Sequence, residues 1–309
     1  VNGLANRMRA IVSGLILARN LRSNFCFSWP YSDVMSCHPS RLFSSSFMDA
    51  YFMGEQVDLI KTFESKIGPY FFEDTTKSQR LLAIAGGRLG EQRYMQRLFS
   101  NMQTHEYSRT QIIIKSGGLF HLCATELCSD CKEFRNLRRE VYEEMGFSSE
   151  VLEELNSSKI AFPSIYGAVH LRLTDKTIDQ SVSRKRLVKV AVKQNRVSTP
   201  ENSMIFVCGD DDTEVLEMSR RLEKKALNAH SRIGIELARS KSESAIHALV
   251  DWILLSRSKW IVYFTNTSFS YEASVFGGNF DKSIRIYPRF RKLRYQFAKL
   301  QRKIEGLQS

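Results

Sequence analysis

Several stretches of the 309-residue chain carry side chains that can bind an anion or move a proton. The first is Asn2-Gly3-Leu4-Ala5-Asn6-Arg7-Met8-Arg9, which stands directly before an amphipathic segment. A helix starting there presents unpaired backbone N–H groups and the positive end of its dipole, which suits an anion. Gly3 permits close approach to the backbone, and Asn6 and Arg7 add directed donors. An ordinary helix start with solvated arginines competes with this reading. The second is His170-Leu171-Arg172-Leu173-Thr174-Asp175-Lys176, at the end of an apolar run. His170 and Arg172 alternate and so share a face of a strand. A guanidinium at a strand end calls for an anion, and its fork matches a diphosphate bidentately. An internal ion pair with Asp175 is the alternative. The third is Asp251, in a segment apolar on nearly every side, where a carboxylate is costly unless paired or functional. The fourth is Thr267-Ser268-Phe269-Ser270, whose hydroxyls and N–H groups open a helix after a strand and again suit phosphate. Gly209-Asp210-Asp211-Asp212 contains D-x-D, but it follows a strand and precedes a helix, so capping is favoured over holding a metal–nucleotide complex. Asp210 stays a candidate for contact with a ribose or base.

The elements that must position these residues are clearest in the second half. Ile165–Leu171, Met204–Cys208, Ile233–Leu237, Trp260–Phe264 and Ile284–Tyr287 read as strands. Arg186–Lys193, Thr213–Ala226, Ser242–Arg257 and Ser268–Phe276 read as helices, with Asp211 and Glu214 at capping-box spacing. In Ser242–Arg257 the residues Ile246, Leu249, Val250, Ile253 and Leu254 repeat at helical spacing. Strands alternating with helices imply a parallel sheet covered on both faces, the doubly wound arrangement, with ligands bound beyond the carboxyl ends of the strands. The first half is less regular. Leu4–Leu21 is a strong helix, with Met8, Ile11, Val12, Leu15 and Ile16 on one face. Asn24–Trp29, Leu81–Ala85 and Gln111–Lys115 read as strands, and Gly90–Ser100, Phe134–Met145 and Glu150–Leu155 as helices. An irregular insertion is expected over Tyr31–Lys77. The polar stretch Ser157–Pro163 marks a boundary between domains at 1–160 and 161–309. Arg289–Ile304 reads as a basic terminal helix packed back on a domain.

Composition narrows the classes. At 43% hydrophobic and 25% charged residues, the chain has enough apolar surface to fold, and its length suits about two domains. The net charge of +12 favours anionic partners: nucleic acid, acidic lipid or phosphate-bearing small molecules. Cys123, Cys128 and Cys131 are spaced C-x4-C-x2-C, yet zinc needs four ligands and His121 is cramped beside Cys123, so a non-metal reading is favoured. No apolar run reaches the ~20 residues of a membrane span. Arg7 and Arg9 before Ala10–Ala18 imitate a signal peptide, but no small-x-small cleavage site follows. Because the sequence opens on Val1, a fragment is expected, with a lumenal Golgi setting if the source is eukaryotic and an upstream anchor was lost, and a cytoplasmic one otherwise. The dinucleotide, P-loop, metalloprotease and hydrolase signatures are absent from the sequence.

These pieces together resemble the fucosyltransferase-like superfamily. Gly3-Leu4-Ala5-Asn6-Arg7-Met8-Arg9-Ala10 resembles its G-L-G-N-R-L-R-A opening. His170-Leu171-Arg172-Leu173-Thr174-Asp175-Lys176 resembles its H-x-R-x-x-D segment, as in core fucosyltransferases. Ala245 through Tyr271 resembles its third segment, a D-x-x-x-L-S helix, a strand and S-S-F-S. The resemblance implies a GT-B architecture of two Rossmann-like α/β domains facing across a cleft, and an inverting transferase using GDP-fucose without a metal. It implies that Arg172 binds the diphosphate with His170 beside it. It also implies that Asp251, Ser268, Phe269 and Ser270 line the nucleotide site, and that Gly3, Asn6 and Arg7 reach the donor. Ala5 replaces the second glycine of the pattern, Leu173 stands where a second arginine is common, and Thr267 replaces the first serine of S-S-F-S. These departures bear on the sugar more than on the fold.

The leading expectation is a glycosyltransferase moving fucose from GDP-fucose to a hydroxyl of a glycan or glycoprotein. Arg172 would stabilise the leaving diphosphate. Asp175 is a candidate general base, although a partner role for Arg172 suits it better. A same-fold transferase using a UDP- or GDP-linked pentose or hexose is the second expectation. A non-catalytic basic module binding nucleic acid or glycan is the third, and it is lowered by the lack of aromatic-interleaved basic platforms.

Overall fold

The computed structural model describes residues 3–20, 22–30, 35–54, 70–73, 112–115, 132–159, 162–172, 180–200, 203–222, 226–227, 242–264 and 267–286. The chain divides into two compact units, one of Val1–Asn156 with Ala238–Val250, the other of Ser157–Leu237 with Asp251–Ser309.

The first unit opens with helix α1 (Leu4–Asn20), which buries Met8, Ile11, Val12, Leu15 and Ile16, the face expected from their spacing. A Cβ on Gly14 would come within 2.6 Å of the Phe25 ring, so the glycine lets that ring lie against the helix. Strand β1 is only Phe27–Ser28, shorter than the Asn24–Trp29 expected, and pairs in parallel with β2 (Phe52–Gly54). Within the stretch expected to be irregular, the described residues 35–54 are ordered into regular elements. They form a 3-10 turn at Pro39–Arg41 and helix α2 (Ser45–Tyr51), capped by the Ser44 hydroxyl at the Phe47 N–H. Further on, β3 (Tyr70–Glu73) pairs in parallel with β4 (Ile112–Lys115). The reason the periodicity missed this stretch is compositional. Phe27, Phe43, Phe47, Tyr51 and Phe52 form one aromatic cluster, with ring centroids 5.0–6.2 Å apart, and clustered rings leave no alternating pattern to read. Helices α3 (Lys132–Met145) and α4 (Ser149–Lys159) follow. The expected strand at Leu81–Ala85, the helix at Gly90–Ser100 and the cysteine triplet lie outside the described residues.

The second unit is built on a five-stranded parallel sheet. Its strands are β5 (Tyr166–Leu171), β6 (Met204–Gly209), β7 (Ala226–Leu227), β8 (Ile261–Phe264) and β9 (Ile284–Ile286). Their order across the sheet is β7-β6-β5-β8-β9. Registers align Val169 with Val207 and Val262, and His170 with Cys208 and Tyr263. Val169, Leu171, Ile205, Val207, Val262, Phe264 and Ile286 therefore share one face. Leu187 and Ala191 of α5 (Gln180–Ser198) and Met218 and Leu222 of α6 (Asp212–Leu222) cover it. The opposite face carries Tyr166, Ala168 and His170. Helix α7 (Ser242–Arg257) and helix α8 (Ser268–Phe276) lie on that side: the Tyr166 hydroxyl donates to the Leu254 carbonyl, and Trp252 stacks on Phe276 at 4.9 Å.

Two glycines are fixed by packing. A Cβ on Gly167 would lie 2.0 Å from the Trp260 ring, which fills that space. A Cβ on Gly277, just past α8, would lie 1.8 Å from the Ser256 carbonyl oxygen of α7. The expected helix Thr213–Ala226 ends earlier, at Leu222, and Ala226 belongs to β7. The expected strand at Ile233–Leu237 and the basic helix at Arg289–Ile304 lie outside the described residues. No helix among the described residues is long and apolar enough to cross a membrane.

Candidate functional site

The sheet order β7-β6-β5-β8-β9 reverses direction between β5 and β8. On one side of that reversal the crossover helices α5 and α6 cover one face; on the other, α7 and α8 cover the opposite face. The carboxyl end of the sheet at such a reversal is the usual ligand position in folds of this kind. The residues at the two strand ends are His170-Leu171-Arg172 and Thr267-Ser268-Phe269-Ser270.

These two segments meet. The Ser270 hydroxyl and His170 Nδ1 are 2.6 Å apart, across 100 residues of sequence. The Phe269 ring stacks on the imidazole with centroids 5.1 Å apart and planes inclined by 28°. Thr267 donates from its hydroxyl to the Phe264 carbonyl at 3.0 Å, with Ser270 Oγ at 3.3 Å. Thr267 and Ser270 are fully enclosed, while Ser268 is half-buried and makes no side-chain bond among the described residues. Thr267 stands at the N-cap position of α8 without a side-chain cap, since its hydroxyl is engaged elsewhere. The first turn of α8 thus keeps backbone N–H groups for another acceptor.

Electrostatics at this point are sharply defined. His170 is 6% exposed, and its pKa falls to about 4, with burial the largest of the causes. Asp210, at the end of β6, pulls it upward by a lesser amount, and the positive charge of Arg172 pushes it down further. Both charges therefore lie close enough to act on the ring, which is neutral at physiological pH. Gly209 lets β6 end tightly against β5: a Cβ there would come within 2.8 Å of the Leu171 carbonyl oxygen, to which the Asp210 N–H donates at 3.3 Å. The side chain of Asp211 caps α6, accepting from the Glu214 N–H at 3.1 Å, so this acidic run serves the helix. Asp251 is half-buried on α7. Asp175 lies outside the described residues.

In the first unit, the Gly3 carbonyl accepts from the Asn6 and Arg7 N–H groups at 3.1 and 3.2 Å, closing the first turn of α1. A Cβ on Gly3 would meet nothing within 4 Å. The Asn6 amide makes no bond among the described residues, whereas Arg7 donates to the Pro30 carbonyl at 2.6 Å and lies over the Trp29 ring at 4.8 Å. Burial lowers the Arg7 pKa, which stays far above neutrality for a guanidinium. The sequence reading missed the inward turn of Thr267 and Ser270. Their i, i+3 spacing at a helix start was the available signal, because it puts both hydroxyls on one side of the first turn. It also missed Gly209, whose need becomes visible only with β5 alongside.

No family model and no curated protein matches the chain by sequence. Solved structures match by fold. NodZ alpha-1,6-fucosyltransferase co-crystallised with GDP aligns with a TM-score of 0.60 at 17% identity, over 88% of this chain and 89% of that one. Fucosyltransferase NodZ from Bradyrhizobium aligns with a TM-score of 0.59 at 17% identity, over 88% and 89% of the two chains. POFUT1 in complex with GDP aligns with a TM-score of 0.53 at 11% identity, over 94% and 96%. The chain shares the α/β, GT-B-type fold of these solved structures.

Proposed function

We propose that the chain is an inverting glycosyltransferase that moves fucose from GDP-fucose to a hydroxyl of a glycan. The observation that carries the reading is the His170–Phe269–Ser270 cluster at the reversal of strand order, on a fold shared with structures that hold GDP or were soaked with GDP-fucose. An open parallel sheet takes its nucleotide at that position.

In this reading the second unit binds the donor and the first serves the acceptor. The acceptor oxygen bonds to C1 of the sugar as the bond from C1 to the diphosphate oxygen breaks. The electron pair leaves with GDP, and the acceptor proton passes to a general base, for which Asp175 is the candidate. Charge grows on the departing diphosphate, and fixed donors aimed at growing charge supply the largest catalytic effect available. Arg172, the Ser268 hydroxyl and the first turn of α8 fill that role, so the reaction needs no metal ion. Asp210 and Asp251 are acceptors suited to the nucleoside, and Gly3, Asn6 and Arg7 take part in donor binding.

The test is a donor panel. GDP-fucose is offered with mixed glycan acceptors beside UDP- and GDP-linked pentoses and hexoses, and release of GDP or UDP is measured. Turnover with GDP-fucose supports the reading. Turnover with another donor alone keeps the transferase and replaces the sugar, the point on which the Ala5, Leu173 and Thr267 departures bear. Tight, salt-sensitive binding to nucleic acid without a response to any nucleotide sugar overturns it.

A further inference from the structure

Three residues of the Thr267–Ser270 run face inward, toward His170 or the strand end, and only Ser268 keeps an uncommitted side chain among the described residues. The run is therefore chiefly a mount for the imidazole. The ring has two nitrogens with different fates. Nδ1 is 2.6 Å from Ser270 Oγ, whereas Nε2 makes no hydrogen bond among the described residues and is not one of the unpartnered atoms sealed from solvent, although the residue is only 6% exposed. A ring nitrogen left open at the carboxyl end of β5 is available to a ligand.

The direction of the bond to Nδ1 decides what Nε2 offers. A neutral imidazole has one ring proton, so a proton on Nδ1 leaves a lone pair on Nε2, and a lone pair on Nδ1 leaves an N–H on Nε2. Thr267 has a single hydroxyl proton. The Phe264 carbonyl, at 3.0 Å, is a nearer and stronger acceptor for it than Ser270 Oγ, at 3.3 Å. That leaves the Ser270 proton with Nδ1 as its shortest acceptor. The stacked Phe269 ring holds the imidazole plane.

We propose that Ser270 is a positioning residue which donates its hydroxyl proton to His170 Nδ1, holding the ring as the Nε2–H tautomer so that a fixed N–H points at an anionic oxygen beyond β5 and β8. The proposal rests on the reading that a diphosphate binds there. The opposite tautomer would set a lone pair against that anion. A protonated ring would give two donors, but enclosure and the neighbouring Arg172 disfavour it, while Asp210 is the counter-charge on the next strand. Cys208 and Tyr263 are the register partners of His170 on the adjacent strands. With the charged ring disfavoured, control of the tautomer is the remaining way to make this histidine a donor.

The experiment is long-range 1H–15N correlation on the full chain labelled at histidine, without ligand and with GDP. The expected spectrum has one His170 tautomer, with Nδ1 in the pyridine-like range and Nε2 in the pyrrole-like range, in both states. A Nδ1–H tautomer, or averaging between the two, overturns the proposal. Ser270→Ala is expected to average the tautomers and weaken GDP by about 10-fold, the loss of one directed hydrogen bond. A Ser270→Ala ring that stays entirely Nε2–H also overturns it. If that variant does not fold, the wild-type spectrum alone decides. The two readings fail separately. A Nε2–H ring in a protein whose melting temperature no nucleotide raises would refute the diphosphate site and leave the tautomer standing. GDP binding to a Nδ1–H ring would do the reverse.

Discussion

Acidification should loosen the second unit through His170 specifically. The ring is enclosed, and its pKa falls from the usual 6.5 to about 4 in the folded protein. A depressed histidine pKa means that the unfolded chain binds the proton more tightly. The stabilisation is thus complete above the unfolded pKa of 6.5 and is lost progressively as pH falls toward 4. Between pH 7.5 and pH 5.0 the two proton-binding equilibria raise the opening constant about 30-fold, or roughly 2 kcal/mol. Because the chain has two units, a single denaturation curve would mix them. Amide hydrogen exchange of β5 and β6, corrected for its intrinsic pH dependence, isolates the unit. His170→Gln removes the titrating group and keeps a polar side chain, and all other histidines titrate alike in both proteins. The wild type should open about 30-fold more at pH 5.0 than at pH 7.5 beyond the change seen in His170→Gln. Equal pH dependence in the two proteins would refute the enclosure of His170 and the reasoning built on it.

Other expectations concern single contacts. Gly277→Ala drives a Cβ to within 1.8 Å of the backbone oxygen of Ser256, which no side-chain rotation relieves, so it should cost about 3 kcal/mol or more and raise exchange across α7 and α8. Gly167→Ala meets the Trp260 ring and should blue- or red-shift tryptophan fluorescence as that ring is displaced; an unchanged spectrum at full stability contradicts the packing. Asp211→Ala removes the cap of α6 and should cost about 1 kcal/mol in urea unfolding without changing nucleotide binding, since its carboxylate serves the helix. Gly3→Ala has open space and should leave stability unchanged, while raising the KM for GDP-fucose if a ligand approaches that backbone closely.

How far the fold was readable depended on what each element is made of. Strands β5, β6 and β8 are continuous apolar runs, as strands covered on both faces must be, and their positions emerged within a residue or two. Helices α7 and α8 emerged with their observed bounds because α7 has a strong repeat and α8 opens on hydroxyl residues. Strand β7 has two residues and carries no pattern, so Ala226 was absorbed into the preceding helix. The first unit hides its short strands among packed rings. The candidate site was readable as a location, since His170, Arg172 and Thr267–Ser270 fall at strand ends and a helix start. Its internal wiring was not, because the bond from Ser270 to His170 joins residues a hundred positions apart, and only the pairing of β5 with β8 brings them together.

In the proposed function the ends of β5 and β8 hold a nucleoside diphosphate through Arg172 and the start of α8. Isothermal titration of GDP into the wild type and Arg172→Ala, with hydrogen exchange of the sheet as the control for folding, tests it most directly. The wild type should bind GDP, and the variant should bind at least about 100-fold more weakly with the sheet intact, the loss expected for a charge-assisted bidentate contact. Equal affinity in the two proteins, or no binding by the wild type, would contradict it.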